Sequence, residues 1–162
     1  HRAIGVSDHF SEKIEAWIKE RFVDTRAKHD KLTKTVEYAL ISMNYIENNS
    51  NGKPVSAKSI SNQFSIPEEL LAKVLQKLVK YKMLESVRGP YGGYKIKTST
   101  KNTNLVYLIE SLEGPIGIVD CSTSDDCCLI DSCNIKSPID SINQNIKSVF
   151  EKTTLKDIIK GI

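Results

Sequence analysis

The stretch "IPEELLAKVLQKLVKYKMLESVRGPYGGYKIKTS", residues 66–99, changes its hydrophobic period half-way along. In the first half Leu70, Leu71, Val74, Leu75 and Leu78 recur at helical spacing and are expected to bury one side. Pro67 lies near the first turn, and Lys73, Lys77 and Lys80 fall on the other side. In the second half Leu84-Glu85-Ser86-Val87-Arg88 and Tyr94-Lys95-Ile96-Lys97 alternate as strands do, and "GPYGG" between them supplies the glycines of a tight hairpin. Just upstream, "SAKSISNQF", with Ser56 as its cap, predicts a shorter helix. Helix, turn, basic helix and basic hairpin make the outline of a winged helix-turn-helix, whose second helix enters the DNA major groove.

Charge supports that reading. From Lys73 to Lys97 seven Lys and Arg stand against Glu85 alone, a balance of +6 within a chain whose whole charge is only +3. From Glu110 to Asp131 six acidic residues occur with no Lys or Arg. A basic half followed by an acidic half suggests a polyanion-binding module joined to a separate sensing or metal module. No apolar run approaches the roughly 18 residues that cross a bilayer, and nothing resembles a secretory signal.

Around this centre further helices are expected. One spans residues 11–24, with Ile14, Trp17, Ile18 and Phe22 on a common face. Another runs from Thr33 to about Asn48, with Val36, Ala39, Leu40, Met43 and Ile46 inward, and ends at the turn-rich "NNSNGKP". A third covers residues 104–112. Pro138 is expected to open a long helix on which Ile139, Ile142, Ile146 and Val149 form one apolar seam, followed by a short helix capped by Thr154.

All four cysteines fall in "CSTSDDCCLIDSC", residues 121–133. As disulfides they would close only tiny loops, where a staple adds little, so the loop predicts a metal site instead. Five residues separate Cys121 from Cys127 and Cys127 from Cys133. Paired zinc ligands favour about two to four, whereas larger iron–sulfur clusters accept wider loops of thiolates. A winged-helix module with structural zinc in the loop is the alternative. An enzyme using a loop cysteine would need a histidine base, and His1, His9 and His29 all precede the winged-helix region, so the chain is read as no enzyme.

Taken together, "KLTKTVEYAL", "VRGPYGGYKI", "SLEGPIGIVDC" and the spacing Cys121-x5-Cys127-x5-Cys133 resemble one family. It is the winged-helix iron–sulfur transcription regulators that include IscR and NsrR. "LEGPIGIVDCS", "CCLIDSCNIKS" and "INQNIKSVFEKTTLKDI" look most like the branch that regulates SUF cluster-assembly genes. The resemblance spans about residues 31–159. It implies a mainly α fold with a small β-hairpin: a winged helix-turn-helix domain, a cysteine loop and a long dimerisation helix. The corresponding division is an N-terminal extension over 1–30, a DNA-binding domain over 31–100, and the loop with dimerisation helices over 101–162.

The same resemblance implies a cytoplasmic homodimer that binds double-stranded DNA, carries a 2Fe-2S or 4Fe-4S cluster, and has no membrane or small-molecule substrate. Its cluster ligands map to Cys121, Cys127 and Cys133, with Cys128 the extra one. Lys136 stands where one branch has a ligating histidine. In the nitric-oxide-sensing branch an acid from the opposite subunit completes the cluster, and the matching position is Glu37. Base-contacting positions map to Glu69, Ala72 and Lys73. Arg88 maps to a minor-groove arginine, followed by the wing turn Gly89, Pro90 and Tyr91, while Lys77 and Lys95 are expected at phosphates.

Overall fold

The computed structural model describes residues 32–123 and 127–160. The amphipathic helix expected at 11–24, and the separateness of residues 1–30, therefore lie outside the described residues. The described residues cluster as one compact unit. The described elements run α1 (Lys34–Asn49), α2 (Ala57–Phe64), α3 (Glu68–Lys80), β1 (Leu84–Val87), β2 (Gly93–Ile96), a 3-10 turn (Thr98–Asn102), α4 (Leu105–Glu113), a second 3-10 turn (Asp120–Ser122), α5 (Lys136–Lys152) and α6 (Leu155–Ile159). This is the mainly helical fold with a small hairpin that the periodicities predict.

Local chemistry sets most boundaries. The Thr33 side chain accepts from the Val36 N–H, Ser56 from the Ser59 N–H and Asn104 from the Tyr107 N–H, so three helices open on side-chain caps. Ser65, in the left-handed region at φ 53°, stops α2 and lets the chain turn into α3. The buried Ser61 hydroxyl holds that turn by donating to the Ile66 carbonyl at 2.7 Å. Thr154 and Asp157 form a reciprocal cap on α6, and the Thr154 hydroxyl and N–H hold the Asp157 carboxyl below the usual carboxylate range.

The core is one cluster. Val36, Ala39, Met43 and Ile46 of α1 meet Leu71, Val74, Leu75 and Leu78 of α3, with Ile60, Met83 and Leu84 between them. Leu155 and Ile159 of α6 are fully buried against the same cluster, and the Ile159 carbonyl accepts from Asn44 Nδ2 at 2.7 Å. The C-terminal helix thus returns to α1. Two backbone bonds, Leu105 N–H to Thr153 O (2.9 Å) and Leu155 N–H to Thr103 O (2.8 Å), fasten it beside the start of α4.

Three expectations change. Leu70 is 48 % exposed rather than buried, because it lies on the flank of α3, off the stripe centred on Leu71, Val74 and Leu75. The long helix begins at Lys136, not at Pro138. Proline fits inside a first turn, where its missing N–H has no helical partner in any case. The apolar seam of α5 is also divided. Ile139 and Ile146 are half-buried, whereas Ile142 (48 %) and Val149 (60 %) face outward, and Phe150 rather than the seam reaches the core.

The hairpin pairs Leu84 with Ile96, Glu85 with Lys95, Ser86 with Tyr94 and Val87 with Gly93. Val55 adds a rung on the other edge of β2, exchanging backbone bonds with Tyr94 at 3.0 and 2.8 Å. This rung ties the wing to the start of α2, and it requires glycine next door. A Cβ on Gly93 would strike the Val55 carbonyl, which is backbone and has nowhere to move. We expect Gly93→Ala to destabilise the domain by roughly 1–3 kcal/mol, the usual scale of overpacking, read as a lower thermal midpoint. An unchanged midpoint would show that the wing is not held by this rung.

Candidate DNA interface and cysteine loop

Helix α3 presents Glu69, Lys73, Gln76, Lys77 and Lys80 to solvent because its buried stripe fixes its rotation. These basic side chains are not equivalent. Lys77 Nζ turns back to donate to the Leu112 carbonyl at the end of α4, 3.3 Å away. Lys80 Nζ stands 5.9 Å from the centroid of the Tyr81 ring, a cation–π arrangement. Lys73 has no ion pair or hydrogen-bond partner among the described residues. It is the lysine of α3 most available to a ligand.

On the wing, the Gly92 N–H donates to the Gly89 carbonyl at 3.0 Å and closes the turn, with Gly89 at φ 115° where a side chain would be strained. Arg88, Gly89 and Pro90 are exposed, and Tyr91 is 91 % exposed at the tip. Lys95 is half-buried and sits across the ladder from Glu85, with no ion pair between them among the described residues. Of the eight residues assigned to DNA on sequence grounds, all but half-buried Lys95 are exposed, and Lys77 also donates to the Leu112 carbonyl. Lys53, Ser56 and Ser59 carry no DNA assignment from the sequence. With Tyr45, Asn49 and Tyr91 they flank a cleft of about 350 Å³ between wing and helices. The signal was the cap serine following Lys53 in "NNSNGKPVS".

The cysteine loop grows from the end of α4. Gly114, at φ 89°, ends that helix. Glu110 then anchors the departing chain: Oε1 accepts from the Ile116 N–H at 3.4 Å and pairs with Lys147 of α5 at 3.3 Å. Cys121 lies in the second 3-10 turn and is half-buried. Two further turns, Ile130 N–H to Cys127 O (3.2 Å) and Ser132 N–H to Leu129 O (3.1 Å), carry half-buried Cys127 and Cys133 and exposed Cys128. All four thiols are free. Among the described residues no group of three or more His, Cys, Asp or Glu is gathered closely enough to hold a metal ion, and residues 124–126 lie outside the description.

Two local features fit a thiolate-held group nonetheless. The Ser122 hydroxyl, next to Cys121, is buried without a hydrogen-bond partner, a donor left in reserve at a cost of about 1–3 kcal/mol. Gly117 lets the loop start fold back, since a Cβ there would meet Thr123 Cγ2 at 2.5 Å and Ser122 Cβ at 3.2 Å. Glu37, in the first turn of α1, is paired with Lys34 at 2.6 Å on an exposed surface, and the bond and charge of Glu37 raise the Lys34 pKa. Lys136 is exposed at the first turn of α5.

The model of a family described as an iron-dependent transcriptional regulator, Rrf2, matches residues 32–161. The chain belongs to the Rrf2 family. Like other Rrf2 proteins it is a transcriptional regulator and not an enzyme. It is 28 % identical over 132 residues to the HTH-type transcriptional regulator NsrR of Oceanobacillus iheyensis, covering 80 % of this chain and 90 % of that protein. Among solved structures it is similar to CymR, the global cysteine regulator of B. subtilis, with TM-score 0.62 and 26 % identity over 79 % of this chain and 95 % of the other. It is also similar to T. potens IscR, with TM-score 0.59 and 26 % identity over 79 % and 85 %. The winged-helix architecture is shared with both, and among the described residues no helix is long and apolar enough to cross a membrane.

The unequal lysines of this Rrf2 chain lead to a prediction. Lys73→Ala should lower the slope of log affinity against log salt by about 0.9, the value for one lost phosphate contact. Lys77→Ala should leave that slope unchanged and instead lower the thermal midpoint, since it removes a bond to α4. Equal slope changes in the two variants would overturn the distinction.

Proposed function

We propose that this chain is a homodimeric regulator that binds operator DNA and senses an iron–sulfur cluster. The labour divides near residue 100, with α1–α3 and the wing contacting DNA, and the loop with α5 serving cluster and dimer. The observation that carries the reading is three free, half-buried thiols at equal spacing on one loop beside a winged helix-turn-helix. Cys121, Cys127 and Cys133 would hold the cluster, and the Ser122 hydroxyl stands ready to donate to a sulfur. Bound there, the cluster supplies an oxidisable, labile centre.

Glu37 of the partner subunit is the proposed fourth ligand. Its pairing with Lys34 does not prevent this, because exposed ion pairs contribute only about 0–1 kcal/mol. An oxygen ligand is weaker toward iron than thiolate, which suits a sensor that must release its cluster. Ile142 and Val149, exposed on α5, offer the apolar surface for the second copy. The protein would act in the cytoplasm, on genes of cluster assembly or redox stress, as the SUF-like stretches around the loop suggest. It needs no small-molecule substrate.

A second reading is favoured by the dispersed thiols and by the likeness to a protein described as a cysteine regulator: the thiols respond directly, without a cluster. Iron and sulfide analysis with the visible spectrum of anaerobically purified protein separates the two. Charge-transfer absorption with stoichiometric iron and sulfide is expected; colourless protein, with or without zinc, would sink the cluster reading. Serine at Cys121, Cys127 or Cys133 should lose or weaken the cluster, whereas Cys128→Ser should keep it. Glu37→Ala should shorten the cluster's lifetime while the apo protein stays folded, and an unchanged lifetime would place the fourth ligand elsewhere.

A further inference from the structure

Leu70 is the unexpected residue of the reading helix. It sits in the first turns of α3, the end that meets base edges first when such a helix enters a groove. It is 48 % exposed although its neighbours Leu71, Val74 and Leu75 are buried. A lone exposed leucine needs no explanation in general, but this one interrupts a charged and polar surface. Phe64, 41 % exposed nearby in sequence, is accounted for by an edge-on contact with Tyr45, with centroids 5.6 Å apart. The neighbour of Leu70 one turn on, Lys73, makes no ion pair or hydrogen bond among the described residues.

On DNA, such a side chain has one good partner. The major-groove edges of A, G and C offer hydrogen-bond donors and acceptors, which a leucine would desolvate without replacing, whereas thymine presents a C5-methyl group. We propose that Leu70 is a specificity-determining residue that reads a thymine methyl in each operator half-site. The charges alongside it fit this placement. Lys73, at the next turn, is free to meet the phosphate or base edge, and the small Ala72 leaves room for the helix to approach. The inference rests on the reading that α3 enters the major groove of operator DNA.

The test uses the full chain. Duplexes are selected from a random-sequence library, and each thymine of the selected half-sites is replaced singly by deoxyuridine, which removes only the methyl. One position per half-site should lose about fourfold in affinity, the worth of one buried methyl-sized group. Leu70→Ala, an exposed substitution that should leave the thermal midpoint unchanged, should bind the thymine and deoxyuridine duplexes equally. If no deoxyuridine substitution weakens wild type, or if the loss is the same in Leu70→Ala, the assignment is wrong. If instead no duplex is selected at all, the DNA-binding reading fails and the inference with it. If Leu70→Ala fails to bind any duplex, the wild-type scan alone decides.

Discussion

The last turn of α4 is the joint on which the two halves of this molecule depend. A helix C-terminus leaves carbonyls without partners, and here the Leu112 carbonyl accepts from Lys77 of α3. One residue on, Glu113 Oε1 accepts from the hydroxyl of Thr33, the residue that caps α1. Half a turn back, Glu110 holds both the chain leading to the cysteines and Lys147 of α5. Four elements therefore meet within residues 110–113. The turn is bonded to α3 and to the capping residue of the helix that carries Glu37, so in the proposed regulator a displacement of the cysteine loop would act on both. The bonds are polar and partly exposed, each contributing on the order of 1 kcal/mol, so the joint can rearrange without unfolding the domain.

Beneath the joint lies the apolar packing. Met43 and Ile46 of α1, Leu71, Leu75 and Leu78 of α3, and Leu155 and Ile159 of α6 are fully buried in one cluster. Each such side chain contributes roughly 1.5–3 kcal/mol by leaving water. That packing sets which face of α3 looks outward, and hence which residues can reach a base. In the proposed regulator, this packed core with a polar joint would let the DNA-facing surface move as a unit.

Much of this was legible in the sequence, for identifiable reasons. Caps such as Thr33, Ser56 and Asn104 announce helix starts through local chemistry, and the change of period at Met83–Leu84 announces the hairpin. The failures arise where tertiary geometry decides. Leu70 has the right spacing for burial, but the exact rotation of α3 leaves it on the flank. Val55, between proline and serine, has no period to read, yet its two bonds to Tyr94 complete the wing. Lys77 reads as one more cation in a basic run, because nothing local places the end of α4 beside it. The cysteine spacing was plain, whereas the distance of the thiols from one another is a property of the folded loop.

The central claim is that the cysteine loop and the DNA surface bias one arrangement of the same dimer. Linkage makes that claim measurable from both sides, since two ligands that share such an arrangement must change each other's affinity by the same factor. The direct measurement is operator affinity of the cluster-loaded and cluster-free protein at one salt concentration, repeated with Lys77→Met. The account predicts that wild-type affinities differ by a factor of about five or more, the lower end of usual coupling, and that the factor shrinks when Lys77 is lost. Equal affinities for the loaded and empty protein would contradict it.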